Sequence, residues 1–384
     1  MHSFLIGLAL VIVLFWILNG IDVAVGAAKL PSIGKIAPLD NSECPTVSIL
    51  FAARDEEEKL PGALETFLAL DYPQYEVIAA DDRSEDRTSE ILKEVSQEDP
   101  RLKYVRIDSL PSGWLGKPYA LQRAYEESKS EWLVFTDADV HFSPDVVRKS
   151  LALAKREGWD HLTLLSSAEM ETFGEKVTLT YFGMGFTMGV RPWRTNDQKS
   201  SGYAGVGAFQ LIRRKTYESM GTHRRLAMEV VDDMKLGKLV KQSGFHSGVG
   251  KGWEEVRVRW HAGVGNIVRG TTKNFFAAAG YNLRLVCFQV VMTLMLCVLP
   301  WILLPFLRGW ALLFDAIAVG TIIATHAGVC IEVGVSPLYA LTEPVGALIF
   351  CWMLTRSTIV TLKNGGVEWR ETFYSLEELK RGVV

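Results

Sequence analysis

The chain has 384 residues, enough for one large or two ordinary domains. Its net charge of −3 lacks the basic excess that nucleic-acid binding requires, so nucleic acid is not an expected partner. The 48% apolar content gathers at the two ends of the chain, and the five cysteines show neither metal-ligand spacing nor a disulfide framework.

Residues 4–18 form an apolar run broken only by Gly7, which fades through 23–28. A signal peptide competes for this run, but no positive segment precedes it and the apolar character outlasts a cleavage site. A retained membrane anchor over 1–28 is therefore expected, followed by a proline-marked linker, 29–46. Residues 47–53 read as a first strand, and Arg54-Asp55-Glu56-Glu57-Glu58 as the opening of a helix that ends near Leu70. Acids in a first turn favour the positive end of the helix dipole. A second strand, 75–80, stops at Asp81-Asp82, and helix 87–97 and strand 104–107 follow. The loop Gly113-Trp114-Leu115-Gly116-Lys117 leads into helix 119–129. Strand 132–137 comes next, and Ser143-Pro144 is expected to cap a helix over 145–156.

This alternation implies parallel strand–helix–strand units with right-handed crossovers. Neither Gly-x-Gly-x-x-Gly nor a Walker loop is present, which disfavours dinucleotide and P-loop chemistry. Beyond residue 160 the pattern loosens. Strands are expected over 162–166, 205–212 and 256–260, with a helix over 234–242. The apolar stripe 178–190 fits either a core segment or a helix lying in a membrane surface.

From residue 285 the chain becomes membrane-like. The stretch 285–307 has no charge and is long enough to cross a bilayer, 310–331 carries Asp315 and His326, and 338–355 is interrupted by Glu343-Pro344. The basic residues Arg269, Lys273 and Arg284 place the soluble domain in the cytoplasm by the positive-inside rule. Three full spans would put the basic tail on the other side, so that side is left open. The expected layout is an anchor (1–28), linker (29–46), soluble domain (47–265), interfacial segment (266–284), transmembrane helices (285–362) and basic tail (363–384).

Chemistry concentrates at three acidic stations: Asp81/Asp82, Asp137/Asp139 and Asp232/Asp233. The first two end what should be neighbouring parallel strands, the edge where open α/β sheets bind ligands. An Asp-x-Asp there suits a divalent metal that itself holds a diphosphate. A solvated turn would use the same residues, just as Asp232-Asp233 would suit a helix N-terminus and Lys117 an ordinary surface position.

Six motifs in order carry a resemblance: Ala53-Arg54-Asp55-Glu56-Glu57, Asp81-Asp82-Arg83-Ser84-Glu85-Asp86-Arg87-Thr88, Gly113 to Lys117, Thr136-Asp137-Ala138-Asp139, Gly205-Val206-Gly207-Ala208-Phe209 and Val231-Asp232-Asp233-Met234-Lys235-Leu236. Over 45–275 the chain resembles the family 2 glycosyltransferases, and its layout resembles their membrane branch acting on lipid acceptors. The resemblance implies an α/β GT-A fold (a Rossmann-like nucleotide-binding sheet with flanking helices) plus transmembrane helices. It implies a nucleotide-sugar donor, with UDP expected, bound by Ala53, Arg54, Glu56, Asp81, Asp82, Lys117, Asp137 and Arg269. Asp137 and Asp139 would hold Mg2+ or Mn2+, and Gly205, Val206 and Gly207 would line an acceptor site for a lipid or other hydrophobic molecule. Asp233, beside Asp232, matches the base of an inverting displacement. Processive polysaccharide synthases of this family carry Gln-x-x-Arg-Trp; here the matching stretch is Asn266-Ile267-Val268-Arg269-Gly270, which argues for single sugar transfer. The expectation is an integral protein of a bacterial inner membrane.

Overall fold

The structure, a computed structural model, describes residues 2–370 and 372–384. It divides into two units. One contains the chain up to Lys29, Met170–Arg191 and Trp260–Glu377; the other contains Leu30–Glu169, Pro192–Arg259 and Glu378–Val384.

The second unit is built on an eight-stranded mixed sheet in the order β3-β2-β1-β4-β7-β6-β8-β5. The strands are β1 (Val47–Ala53), β2 (Tyr75–Asp82), β3 (Leu102–Ile107), β4 (Trp132–Asp137), β5 (Val140–Phe142), β6 (His161–Ala168), β7 (Gln210–Arg213) and β8 (Ser247–Val258). β1 runs parallel to both β2 and β4, pairing Ala53 with Asp81 and Ala52 with Asp137. Ile49, Leu50 and Phe51 are fully buried, as a central strand covered by helices on both faces requires.

Several expectations need correction. The strands ending at Asp82 and Asp137 are not neighbours, because β1 lies between them. The sheet is not wholly parallel: β7 runs antiparallel to β4 and β6. Strand 205–212 shrinks to Gln210–Arg213, since Gly205 to Phe209 form a turn. Strand 256–260 instead ends the long β8, whose glycine-rich start was unreadable as strand; the Trp159 ring lies where a Cβ on Gly248 would stand. The helix expected from Arg54 begins only at Leu60. Its acids serve the loop: Asp55 takes a left-handed conformation (φ 52°), and its carboxylate accepts from Glu85 N at 2.8 Å, while Glu57 accepts from Arg87 N at 3.0 Å. Ser143 does not cap the next helix, which is Val146–Glu157 with Asp145 at its N-cap.

The first unit is mostly helical, with one short antiparallel strand pair, Gly366–Trp369 and Thr372–Ser375. Among its described residues four helices are long and apolar enough to cross a membrane: Ser3–Ala28, Leu283–Leu303, Gly309–Glu332 and Pro337–Asn364. The last begins with a 3-10 turn, Pro337–Thr342, and Pro344 then sits in the first turn of the α-helix Glu343–Asn364, where its missing N–H costs no hydrogen bond. Glu343 thus starts this helix rather than interrupting it, and its carboxylate accepts from Trp301 Nε1 at 3.0 Å. The apolar stripe forms the helix Phe173–Val190, opened by a capping box between Thr172 and Glu175, and it packs against Gly309–Glu332 and Glu343–Asn364.

Candidate active site

All three acidic stations lie in the sheet unit, at the carboxyl ends of β2 and β4 and at the start of the helix Asp232–Gln242. Asp81 is fully buried. It accepts from Ser84 N at 3.0 Å and Tyr104 Oη at 3.2 Å, and also from Ser89 Oγ and the Arg106 guanidinium. Burial alone would raise its pKa, but these donors outweigh burial and hold the carboxyl below its usual range. Asp82, nearly as buried, receives both Nε (2.8 Å) and Nη2 (3.2 Å) of Arg83. Ala53 ends β1 beside Asp81, and Arg54 and Glu56 follow in the adjoining loop. That loop is stitched to the segment after β2 by Asp55 N to Ser84 Oγ (3.1 Å) and Glu56 N to Thr88 Oγ1 (2.8 Å).

At the end of β4 two carboxylates each meet a lysine. Lys117, in the first turn of the helix Gly116–Glu127, lies 2.5 Å from Asp137 Oδ1. Lys59, just before the helix Leu60–Leu68, lies 2.7 Å from Asp139 Oδ2. Burial and the like charge of Asp137 push Asp139 up, and Lys59 opposes them.

The third station meets the second around the turn that precedes β7. Asp233 Oδ2 accepts from Gly207 N at 3.0 Å, and Oδ1 accepts from Met234 N at 2.7 Å. A Cβ on Gly207 would come within 2.9 Å of Asp137 Oδ2, 3.4 Å of Asp233 Oδ2 and 3.5 Å of Lys117 Nζ. A Cβ on Gly205 would overlap the Asp233 carbonyl, so only glycine permits that approach. Val206 N is held by Thr163 Oγ1 at 3.0 Å. Burial works against the Lys117 ammonium, but Asp137, Asp232 and Asp233 together hold it above the usual lysine value. Burial, with the like charge of Asp137, pushes Asp233 up against Lys117 and the N–H groups of Met234 and Gly207.

Asp232 is buried, with His223 Nε2 4.0 Å from its Oδ2. His223 also bonds Tyr217 Oη through Nδ1 at 2.6 Å. Arg269 belongs to the helical unit, on the helix Val264–Gly270, and donates to Asn266 Oδ1 at 2.6 Å. Sequence reasoning missed Lys59, Ser89, Tyr104 and Arg106. None falls in an acidic motif, and only the strand and loop geometry brings them to the carboxylates.

A sheet whose parallel half carries acids at its carboxyl ends, completed by an antiparallel strand and an acidic helix start, is a GT-A-like fold. A solved mannosyltransferase from Pyrobaculum calidifontis, in complex with GDP-Man and Mn2+, superposes with a TM-score of 0.55 and 17% identity, covering 94% of this chain and 98% of that one. Residues 48–220 match the family model described as Glycosyl transferase family 2. The chain carries a glycosyltransferase domain of that family. The 4,4'-diaponeurosporenoate glycosyltransferase of Staphylococcus haemolyticus is 22% identical over 256 residues, 66% of this chain and 67% of that protein. The beta-monoglucosyldiacylglycerol synthase of Trichormus variabilis is 31% identical over 183 residues, 46% of this chain but only 37% of that protein.

Proposed function

We propose that this protein is an integral membrane glycosyltransferase that moves one sugar from a nucleotide-diphosphate donor, UDP-linked, to a hydroxyl of a lipid acceptor, with inversion. The convergence of the Asp137 and Asp233 carboxylates around Gly207 carries this reading, because metal station and base meet at one point. Both hydrogen bonds given to Asp233 come from N–H donors, so its carboxylate is held as an acceptor suited to take a proton from an attacking hydroxyl. Attack from the face opposite the diphosphate with a single base inverts the anomeric carbon. Asp81, Asp82 and the loop from Ala53 to Glu56 would bind the nucleoside, Lys117 the diphosphate, and the turn from Gly205 to Gly207 the acceptor hydroxyl.

The donor set fits a hard divalent cation such as Mg2+ or Mn2+: Asp137 and Asp139 offer carboxylate oxygens one residue apart at the end of β4, and Asp137 faces Gly207. Among the described residues no three His, Cys, Asp or Glu side chains form a complete ligand set. Two carboxylates leave the remaining positions of such a cation to substrate phosphate oxygens and water. When bound, the cation supplies Lewis-acid stabilisation of the departing nucleotide diphosphate.

The lipid acceptor is supported by the four apolar helices and by relatives named for a carotenoid acid and a diacylglycerol. A bacterial inner membrane with the sheet unit in the cytoplasm is the location this reading implies. The test uses membranes containing wild type or Asp233→Asn, radiolabelled UDP-glucose and Mn2+, followed by extraction into organic solvent. Wild type should transfer label to the organic phase, and loss of the base should cut the rate roughly 100- to 10,000-fold. Label confined to water-soluble or polymeric product would overturn the lipid, single-transfer reading.

A further inference from the structure

Asp139 is engaged by a residue that no motif brings in. Lys59 Nζ lies 2.7 Å from Asp139 Oδ2 and 3.4 Å from the Arg259 carbonyl oxygen. Helix electrostatics give no reason for a cation here. Lys59 is the N-cap of the helix Leu60–Leu68, at the positive end of the helix dipole, and its side chain makes no capping bond. The acid explains its position. Its side chain is 43% exposed against 18% for the Asp139 side chain, so the ammonium can withdraw into water while the carboxylate stays in place. Lys117 is different, being surrounded by Asp137, Asp232 and Asp233.

We propose that Lys59 is an exchangeable counter-ion of the metal station, a positioning residue that holds Asp139 ready and gives it up when a divalent cation binds. This rests on the reading of Asp137 and Asp139 as the metal station. In physical terms, Lys59 offsets the repulsion between two carboxylates one residue apart. It thereby keeps the station formed without cation, and it lowers the station's affinity by competing for the same oxygen.

The test titrates Mn2+ into the full chain in detergent without nucleotide, reading the free-ion paramagnetic resonance signal. Lys59→Met keeps the apolar stem and removes the charge. Lys103→Met removes a similarly exposed charge, paired with Glu76 at the edge strand β3. Lys59→Met should tighten Mn2+ binding about two- to fivefold, the scale of a partly exposed ion pair, while Lys103→Met and Lys59→Arg stay near wild type. Thermal unfolding in the same detergent checks that the variants are folded. Unchanged or weaker binding by Lys59→Met would overturn the proposal, as would equal tightening by Lys103→Met. If wild type binds Mn2+ and Lys59→Met binds it equally, Lys59 alone is misassigned. If neither binds even when UDP is added to supply phosphate oxygens, the metal station itself is wrong and the proposal falls with it. Binding by Lys59→Met where wild type shows none would support it.

Discussion

At the scale of single residues, the site depends on what is absent as much as on what is present. Gly207 leaves the gap in which Asp137, Asp233 and Lys117 face each other. Gly207→Ala would push a methyl against Asp137 Oδ2, and that oxygen must shift by several tenths of an ångström. Because misplacement of this order disturbs reacting groups, kcat should fall by about tenfold, with the thermal midpoint moving little. A steady-state assay beside a melting curve checks both. The acids of the three stations are readable in the sequence, because Asp-Asp and Asp-x-Asp at the ends of apolar runs stand out. Their partners are not. Arg106 and Ser89 reach Asp81 only because β3 lies beside β2 and the helix Thr88–Glu98 starts next to it.

At the scale of elements, loops decide more than strands. The acidic segment after β1 looks like a helix start, but its side chains bond the loop after β2 and so unite the two segments proposed to bind the donor. Asp55→Ala would remove the acceptor for Glu85 N and place a less tolerant residue at φ 52°. The expected loss is about 1–2 kcal/mol, read by urea unfolding, with a raised KM for the donor. An unchanged KM would separate this loop from donor binding. β7 shows the limit of pattern reading in another way. Alternating strands and helices predict parallel pairing, yet a short strand reached through a glycine turn inserts antiparallel between β4 and β6. No periodicity encodes that direction, whereas the turn that produces it also delivers Gly205 to Gly207 to Asp233.

At the scale of the whole molecule, the sheet unit buries polar groups that make its stability depend on pH. His161 is fully buried between Ser247 Oγ (2.9 Å) and Gln210 Oε1 (3.0 Å), and burial lowers its pKa to about 4. The unfolded chain takes up this proton near pH 6.5 and the folded chain only near 4, so stability from this site is complete above 6.5 and is lost as pH falls towards 4. His161→Gln should flatten the fall in thermal midpoint over that interval, and an unchanged slope would place the dependence elsewhere. Composition and apolar run length alone marked out an α/β part and four candidate spanning segments, because an apolar helix of about 20 residues matches the hydrocarbon thickness of a bilayer. The order of motifs alone also identified the family. Tertiary structure decided the rest: which strands are neighbours, which helix joins which unit, and which lysine faces which acid. Contacts between residues far apart in the chain depend on strand order and turn geometry, and neither leaves a periodic trace in the sequence.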